Sequence, residues 1–186
     1  LLALAVTEAA RAGAVLVGED LGTVEPHVRD AMIDRDVFGY RIGWFADEPP
    51  EQWPTTTLAS LTTHDLPTVA GLWSGQDAAD RAAAGVPDDP EGDALLRSRL
   101  ARLAHTDQDA PVHDVVLGAH RALAASASDL AIATLEDAAG ERSRPNLPGT
   151  VDQHPNWRRA MRVPIEQLDD AGAAEIAAVM ADQRRH

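Results

Sequence analysis

The sequence has 186 residues, of which 45% are hydrophobic and 25% are charged, and it contains no cysteine. This length and composition are typical of one globular domain. The formal net charge of -14, with every cation an arginine, argues against nucleic acid and anionic membranes as partners, because both bind basic surfaces. A chain without cysteine has neither disulfides nor a thiolate metal site, which is consistent with a cytoplasmic protein.

The first predicted elements are two helices separated by a short apolar run. Helical spacing of apolar residues covers 2–12, where Gly13 stops the helix, and a second helix is predicted over 25–35. The continuous apolar run at 14–18 is typical of a strand that is covered on both faces. The chain starts at Leu1 inside a helical pattern and lacks a signal peptide. We therefore expect it to be the C-terminal part of a longer protein; a processed mature terminus is the alternative.

Three more strands and several helices follow in chain order. The strands are predicted at 38–45, 58–62 and 129–133, and the helices at 67–73, 93–105, 112–126 and 165–184. Residues 76–92 are polar and predict a surface excursion with one helical turn, while 144–156 reads as a long loop. This order predicts an α/β fold with a parallel sheet. No interdomain linker is visible, so we expect one domain over 1–186 with a helical excursion at about 76–126.

Two adjacent acids, Glu19 and Asp20, follow the predicted strand at 14–18. At the end of a parallel strand, neighbouring side chains point in different directions, so at most one of them faces a site. A glutamate held partly out of water there would keep its proton more tightly and could act as a general acid. The alternative is that the pair caps a helix or lies in a solvated loop.

A histidine and an aspartate, His64 and Asp65, follow the predicted strand at 58–62. A carboxylate beside an imidazole places a hydrogen-bond acceptor next to a donor, which suits the vicinal hydroxyls of a sugar. The alternative is that Asp65 caps the helix that begins near Pro67. Carboxylates after successive parallel strands arm the catalytic face of a (β/α)8 barrel, and paired acids cleave glycosidic bonds.

Other candidate sites are weaker. Of the tryptophans, Trp44 and Trp73 are predicted to lie in the core, whereas Trp53 could be a core residue or a platform for a sugar. The seven histidines are scattered, and no pair stands at ligand spacing beside a third ligand, so no metal site is predicted. The sequence has no phosphate loop, dinucleotide fingerprint or nucleophile elbow.

Three segments, in order, resemble the 4-α-glucanotransferases, also called amylomaltases or disproportionating enzymes. They are VGEDLGTV at 17–24, ASLTTHDLPTVAGLW at 59–73 and NLPGTVDQHPNWR at 146–158. The resemblance covers nearly the whole chain and is greatest to the bacterial branch that carries THDLPT. It implies the second half of a (β/α)8 TIM barrel of the α-amylase type, strands five to eight, with C-terminal helices and no metal or organic cofactor.

The resemblance also implies roles for individual residues. Glu19 matches the general acid/base, Asp65 the aspartate that stabilises the transition state, and His64 the neighbouring sugar-binding histidine. The remaining residues that match substrate-binding or supporting positions are Asp20, Asn146, Pro148 and Gly149.

The nucleophile of the family is an aspartate that stands two residues after an arginine, and both are expected upstream of Leu1. The expected function is transfer of α-1,4-glucan segments between maltooligosaccharides by a retaining mechanism, with the missing N-terminal half of the barrel as a partner. Without that half, the chain is expected to be inactive and to expose two sheet edges, so that it aggregates, self-pairs into a pseudo-barrel or needs its missing half. The alternatives are a related α-glucan hydrolase or debranching enzyme, and a non-catalytic glucan-binding half-barrel.

Overall fold

The computed structural model describes residues 1–184, so the last two residues of the predicted domain lie outside it. The helices are α1 (Leu2–Ala12), α2 (Pro26–Ile33), α3 (Val69–Ser74), α4 (Gln76–Ala83), α5 (Pro90–Ala104), α6 (Val112–Ala124), α7 (Leu135–Ala138) and α8 (Ala174–Gln183). The strands are β1 (Gly39–Ile42), β2 (Thr57–Ser60) and β3 (Leu130–Ile132). Within this range, no helix combines the length and apolarity needed to cross a membrane.

The three strands form one parallel sheet in the order β1-β2-β3, which confirms the predicted α/β class. β1 pairs with β2 from Gly39 opposite Thr57, and β2 pairs with β3 from Leu58 opposite Leu130. Because all strands run the same way, their carboxyl ends lie along one edge, and the loops that follow them meet there.

The predicted strand at 14–18 is reduced to one parallel bridge between Val17 and Phe38, and Val15 is 59% exposed rather than covered on both faces. Two backbone hydrogen bonds make this bridge, from Gly18 N to Phe38 O and from Phe38 N to Leu16 O. The ladder stops because the next donor on the facing chain, Tyr40 N, bonds instead to the side chain of Asp20 at 2.8 Å.

The strand predicted at 38–45 is also shorter than expected. Gly43–Phe45 leaves the sheet as a 3₁₀ turn, because β2 ends at Ser60 and offers no partner beyond Ile42. Gly43 packs against Leu61 at ordinary van der Waals distance, since an added Cβ would lie 3.5 Å from the Leu61 Cα.

The core lies between the sheet and a layer formed by α3, α5, α6 and α8. Trp44 and Trp73 are buried in it, as predicted, and each indole N–H donates to a backbone carbonyl, of Pro67 and Ala110 respectively. Trp53 is buried too and donates to Glu48 O at 3.0 Å, so it belongs to the core and is not a sugar platform. Close packing of this kind fixes the sheet edge that carries the loops.

The segment 76–92 differs most from the sequence prediction. It forms two turns of helix α4, and α5 already begins at Pro90, capped by Asp89, whose carboxylate accepts from Gly92 N at 3.0 Å. Asp77 on α4 is buried, with 3% of the residue exposed. The rest of the segment lies at the surface, as expected, but it holds more helix than the single turn predicted. The burial of Asp77 was not foreseen, because it depends on an ion pair with a residue 67 positions later.

The remaining helices lie close to their predicted positions. Helix α1 ends at Gly13, which adopts φ +62°, and α6 ends two residues before its predicted end. The C-terminal region contains turns at Ile165–Gln167 and Asp169–Ala173 followed by α8, whose Ile176 is buried against the core. Helix α1 has no buried residue among those described, in contrast to α6.

Candidate active site

One cavity of about 560 Å³ lies at the carboxyl edge of the sheet, where four segments end. Its walls come from the loop after the Val17 bridge, from β1 and the turn after it, from the loop after β2 and from the start of α7. The residues that line it are Glu19, Leu21, Gly22, Tyr40, Phe45, Thr62, Thr63, His64, Asp65, Leu66, Thr134, Leu135 and Glu136. The two acids of the EDLG and THDLP segments therefore share one cavity.

Glu19 is exposed at the edge of this cavity, whereas the sequence analysis expected it to be held partly out of water. Its position beside β1 is visible in Tyr40, whose pKa is raised. Burial of the phenol is the main cause, the Ser60 side chain opposes it, and the negative charge of Glu19 adds to it. The negative charge of Glu19 therefore acts on the Tyr40 hydroxyl group, and both residues line the same cavity.

Asp20 points away from the cavity and holds the loop. Its Oδ1 accepts from Tyr40 N at 2.8 Å, and its Oδ2 lies 3.3 Å from Arg29 Nε. The Arg29 guanidinium also donates to the Asp20 carbonyl at 3.0 Å. These bonds connect the Glu19 loop to β1 and α2, so the two neighbouring acids face different directions as their spacing predicts.

His64 and Asp65 lie side by side in the loop after β2. His64 Nε2 is 3.4 Å from Asp65 Oδ1, and the two side chains are 53% and 45% exposed. Asp65 does not cap the following helix: Thr68 is the N-cap of α3, and its Oγ1 accepts from Gly71 N at 2.9 Å. The aspartate therefore keeps acceptor capacity that is available to a ligand.

A loop some 80 residues later supports this pair. Asn146 Nδ2 donates to Asp65 Oδ1 at 2.7 Å, and Asn146 N donates to His64 O at 3.1 Å. Pro148 and Gly149 stand next to it in an exposed turn, with Gly149 at φ +81°, and neither lines the cavity. This turn is closed by a hydrogen bond from the Thr150 hydroxyl to Leu147 O at 2.6 Å.

A buried ion pair anchors the same loop. Arg144 binds Asp77 in a bidentate manner, with Nε to Oδ1 at 2.7 Å and Nη2 to Oδ2 at 2.6 Å. Arg81 Nε reaches the same carboxylate at 3.2 Å. The remaining nitrogen of Arg144, Nη1, donates to the backbone carbonyl of Asp65 at 2.7 Å. The charged network therefore fixes the backbone of the candidate catalytic aspartate.

Sequence reasoning missed several of these residues. Tyr40 and Phe45 line the cavity because β1 and its turn reach the same edge, and Glu136 does so at the start of α7. The presence of Thr134-Leu135-Glu136 after a predicted strand was a signal for this, since parallel strands end at a common edge. Across residues 1–184, no three histidine, aspartate or glutamate side chains are grouped as metal ligands would be.

A sequence model of the family described as 4-alpha-glucanotransferase matches residues 1–166 of the chain. The 4-alpha-glucanotransferases of Mycobacterium tuberculosis (strain H37Rv) and Mycobacterium bovis are each 35% identical to it over 209 residues. These matches cover 100% of the chain and 29% of each relative. The 4-alpha-glucanotransferase of Haemophilus influenzae is 26% identical, with 100% of the chain and 30% of the relative covered.

The chain is also similar to solved structures of amylomaltases. The crystal structure of amylomaltase from Corynebacterium glutamicum matches with a TM-score of 0.78 and 30% identity, over 96% of this chain and 30% of that one. Amylomaltase from Streptococcus agalactiae, solved in complex with acarbose, matches with a TM-score of 0.64 at 18% identity over 90% of this chain, which shows a common fold. The chain spans less than a third of the length of these relatives.

Proposed function

Because this chain belongs to the 4-alpha-glucanotransferase family, we propose that it carries part of the active site of an enzyme that transfers α-1,4-glucan segments between maltooligosaccharides. The observation that carries the proposal is that Glu19, His64 and Asp65 line one cavity at the carboxyl edge of a parallel sheet. Paired carboxyl groups around one sugar are the machinery of glycosidic bond cleavage. A cytoplasmic location is part of the proposal and rests on the cysteine-free composition.

We propose further that the sheet is the second half of a (β/α)8 barrel. The Val17 segment, β1, β2 and β3 would be strands five to eight, and the loops that follow them would supply one side of the catalytic face. Their parallel order and the arrival of four segment ends at one cavity support this assignment. The first half of the barrel, with the nucleophilic aspartate, would then be the partner of this chain in the complete enzyme.

The proposed reaction is a retaining double displacement. The nucleophilic aspartate attacks the anomeric carbon of the donor glucan, while protonated Glu19 gives its proton to the departing 4-oxygen. A covalent glycosyl-enzyme forms, and the shortened glucan leaves. Glu19, now a carboxylate, then takes the proton from the 4-hydroxyl of an incoming glucan, whose oxygen attacks the anomeric carbon and restores the α-1,4 bond.

Asp65 and His64 would hold the 2- and 3-hydroxyls of the same glucose unit. Their separation of 3.4 Å places an acceptor beside a donor, and the bonds to a carboxylate strengthen as positive charge develops on the ring. Asn146 serves this step by binding Asp65 Oδ1, which orients the carboxylate. Asp20 supports the Glu19 loop, and the exposed turn of Pro148 and Gly149 would contact sugar units outside the cavity.

The test is the substitution Glu19→Gln in the full-length enzyme, assayed by disproportionation of maltotriose. We expect the rate to fall by roughly 10²- to 10⁴-fold, because the amide cannot transfer a proton. Glu25→Gln is the matched control. Glu25 is an exposed acid next to the same loop, and its side chain makes no capping hydrogen bond to helix α2. Activity of Glu19→Gln within about tenfold of the parent would refute the assignment.

The product profile separates transfer from hydrolysis. We expect both longer and shorter glucans from maltotriose, because an acceptor sugar outcompetes water when the site binds sugar and excludes solvent. If the products were only glucose and maltose, the result would favour the alternative hypothesis of an α-glucan hydrolase.

A further inference from the structure

Trp157 is an exposed tryptophan in a strained backbone conformation. It is 66% exposed, whereas the other three tryptophans of the chain, Trp44, Trp53 and Trp73, are at most 5% exposed. Its φ is +59°, a region that bulky L-residues rarely adopt and that costs on the order of 1–3 kcal/mol where it occurs. Such strain is expected at functional positions, so the surroundings of Trp157 need an explanation.

The indole lies against the candidate sugar-binding histidine. The centroids of the Trp157 and His64 rings are 5.0 Å apart, with an angle of 51° between the ring planes. His64 lines the cavity together with Glu19 and Asp65, while Trp157 itself does not. The tryptophan therefore stands at the rim of the cavity, directly beyond the residue that would bind the reacting glucose.

The loop that carries Trp157 holds it outward. Trp157 N donates to Pro145 O at 3.0 Å. The preceding residue, Asn156, accepts from Leu147 N at 2.9 Å and donates to the Thr150 hydroxyl at 2.8 Å. These bonds close residues 145–157 into a ring, which fixes the unusual φ and keeps the large apolar surface of the indole in solvent.

We propose that Trp157 is an aromatic platform that stacks on a glucose unit of the α-1,4-glucan next to the unit held by His64 and Asp65. This inference rests on the proposed function and adds a binding subsite to it. Aromatic rings carry negative charge on their faces, so they attract the weakly positive C–H groups on the flat face of a sugar, and the contact also removes apolar surface from water. A rigid, preorganised ring loses little entropy when it binds.

The first test compares Trp157→Ala and Trp157→Phe in the full-length enzyme with maltooligosaccharides of increasing length. We expect Trp157→Ala to raise KM by about tenfold for substrates long enough to reach the rim, and Trp157→Phe to raise it by about threefold, with little change in kcat. Ile165→Ala is the control, because Ile165 is an exposed apolar residue (75%) outside the loop.

The second test detects the contact between Trp157 and the glucan directly. In the Glu19→Gln background, where turnover is expected to be roughly 10²- to 10⁴-fold slower, titration with maltoheptaose should change tryptophan fluorescence, and Trp157→Phe should abolish that change. The platform would be overturned if Trp157→Phe still showed the parent's fluorescence change on titration, or if Trp157→Ala left KM unchanged. A fall in kcat alone would also overturn it, because it would mark Trp157 as a positioning residue for His64. None of these outcomes bears on the proposed function, which fails only if Glu19→Gln keeps its activity or the products are hydrolytic.

Discussion

The two loops that carry the candidate catalytic acids are supported in opposite ways. The Glu19 loop is held locally: Asp20 bonds to Tyr40 N and to Arg29, which are 20 and 9 residues away. The loop of His64 and Asp65 is held from a distance, by residues about 80 positions later. The side chains of Arg144 and Asn146 donate to Asp65, and the backbone N–H of Asn146 donates to His64 O.

This difference matches the different roles of the two acids in the proposed reaction. A general acid must change its protonation state during each cycle, and an exposed carboxylate on a lightly held loop can do so. A residue that binds hydroxyl groups must instead keep its orientation as charge develops, and preorganised groups are those that strengthen the transition state. The comparison predicts that distant substitutions will affect Asp65 but not Glu19.

Arg144→Ala should have the largest effect on stability. It leaves Asp77 buried with only Arg81 as a cationic partner and removes the donor to Asp65 O, so we expect a loss of about 3 kcal/mol in the free energy of unfolding. Denaturant unfolding measures this. Arg142→Ala is the matched control, because Arg142 is an exposed arginine of the same loop. Equal stability of the two variants would contradict the role of the buried pair.

Asn146→Ala should reduce activity while leaving the fold intact. It removes the hydrogen bond of 2.7 Å to the Asp65 carboxylate, and a bond to a charged group is worth enough to cost about tenfold or more in kcat/KM. The measurement is steady-state kinetics of the full-length enzyme, with the exposed amide variant Gln167→Ala as control. Kinetics identical to the parent would show that Asp65 needs no distant support.

Asp137 gives a pH-dependent test of the same distant support. Its Oδ1 accepts from Val69 N at the start of α3, directly after the Asp65 loop. Complete burial raises the pKa of Asp137, although the facing His120 lowers it in part, and the nearby Glu136 raises it slightly. In the unfolded chain the group ionises near its ordinary pKa of 3.8, so this aspartate makes the fold less stable as the pH rises from there through its folded pKa.

Asp137→Asn keeps the acceptor for Val69 N but removes the titration. We therefore expect the free energy of unfolding of the variant to fall less steeply between about pH 4 and pH 7 than that of the parent. Urea unfolding at several pH values measures the two slopes, and Asp152→Asn, at an 85% exposed side chain, should leave the parent slope unchanged. Parallel curves for parent and Asp137→Asn would contradict the assignment.

Asp20→Asn should have the smallest effect. The amide oxygen can still accept from Tyr40 N, and only the half-exposed ion pair with Arg29 is lost, which costs about 1 kcal/mol or less. Thermal unfolding and the maltotriose assay should both remain close to the parent. A loss of activity as large as that of Glu19→Gln would contradict the supporting role assigned to Asp20.

The sequence predicts the order of the elements and the residues of the cavity better than it predicts the hydrogen bonds and ion pairs that hold those residues in place. Glu19, His64 and Asp65 are identifiable because they follow apolar runs, and parallel strands end at one edge. The burial of Asp77 is not predictable, since it needs an arginine 67 residues away, and the strand at 14–18 shortens because a single side chain, Asp20, takes the next ladder bond. Trp157 gives no local signal, because its exposure depends on the closed loop around it.

The most direct test of the central claim compares two donors, maltotriose and α-maltosyl fluoride, in Glu19→Gln and Asp65→Asn of the full-length enzyme. Fluoride leaves without a proton, so the account predicts that Glu19→Gln forms the glycosyl-enzyme readily from the fluoride but loses roughly 10²- to 10⁴-fold with maltotriose. Asp65→Asn should be impaired with both donors, because the Asp65 carboxylate binds the sugar and not the leaving group. The same loss with both donors in Glu19→Gln would contradict the division of roles between the two acids.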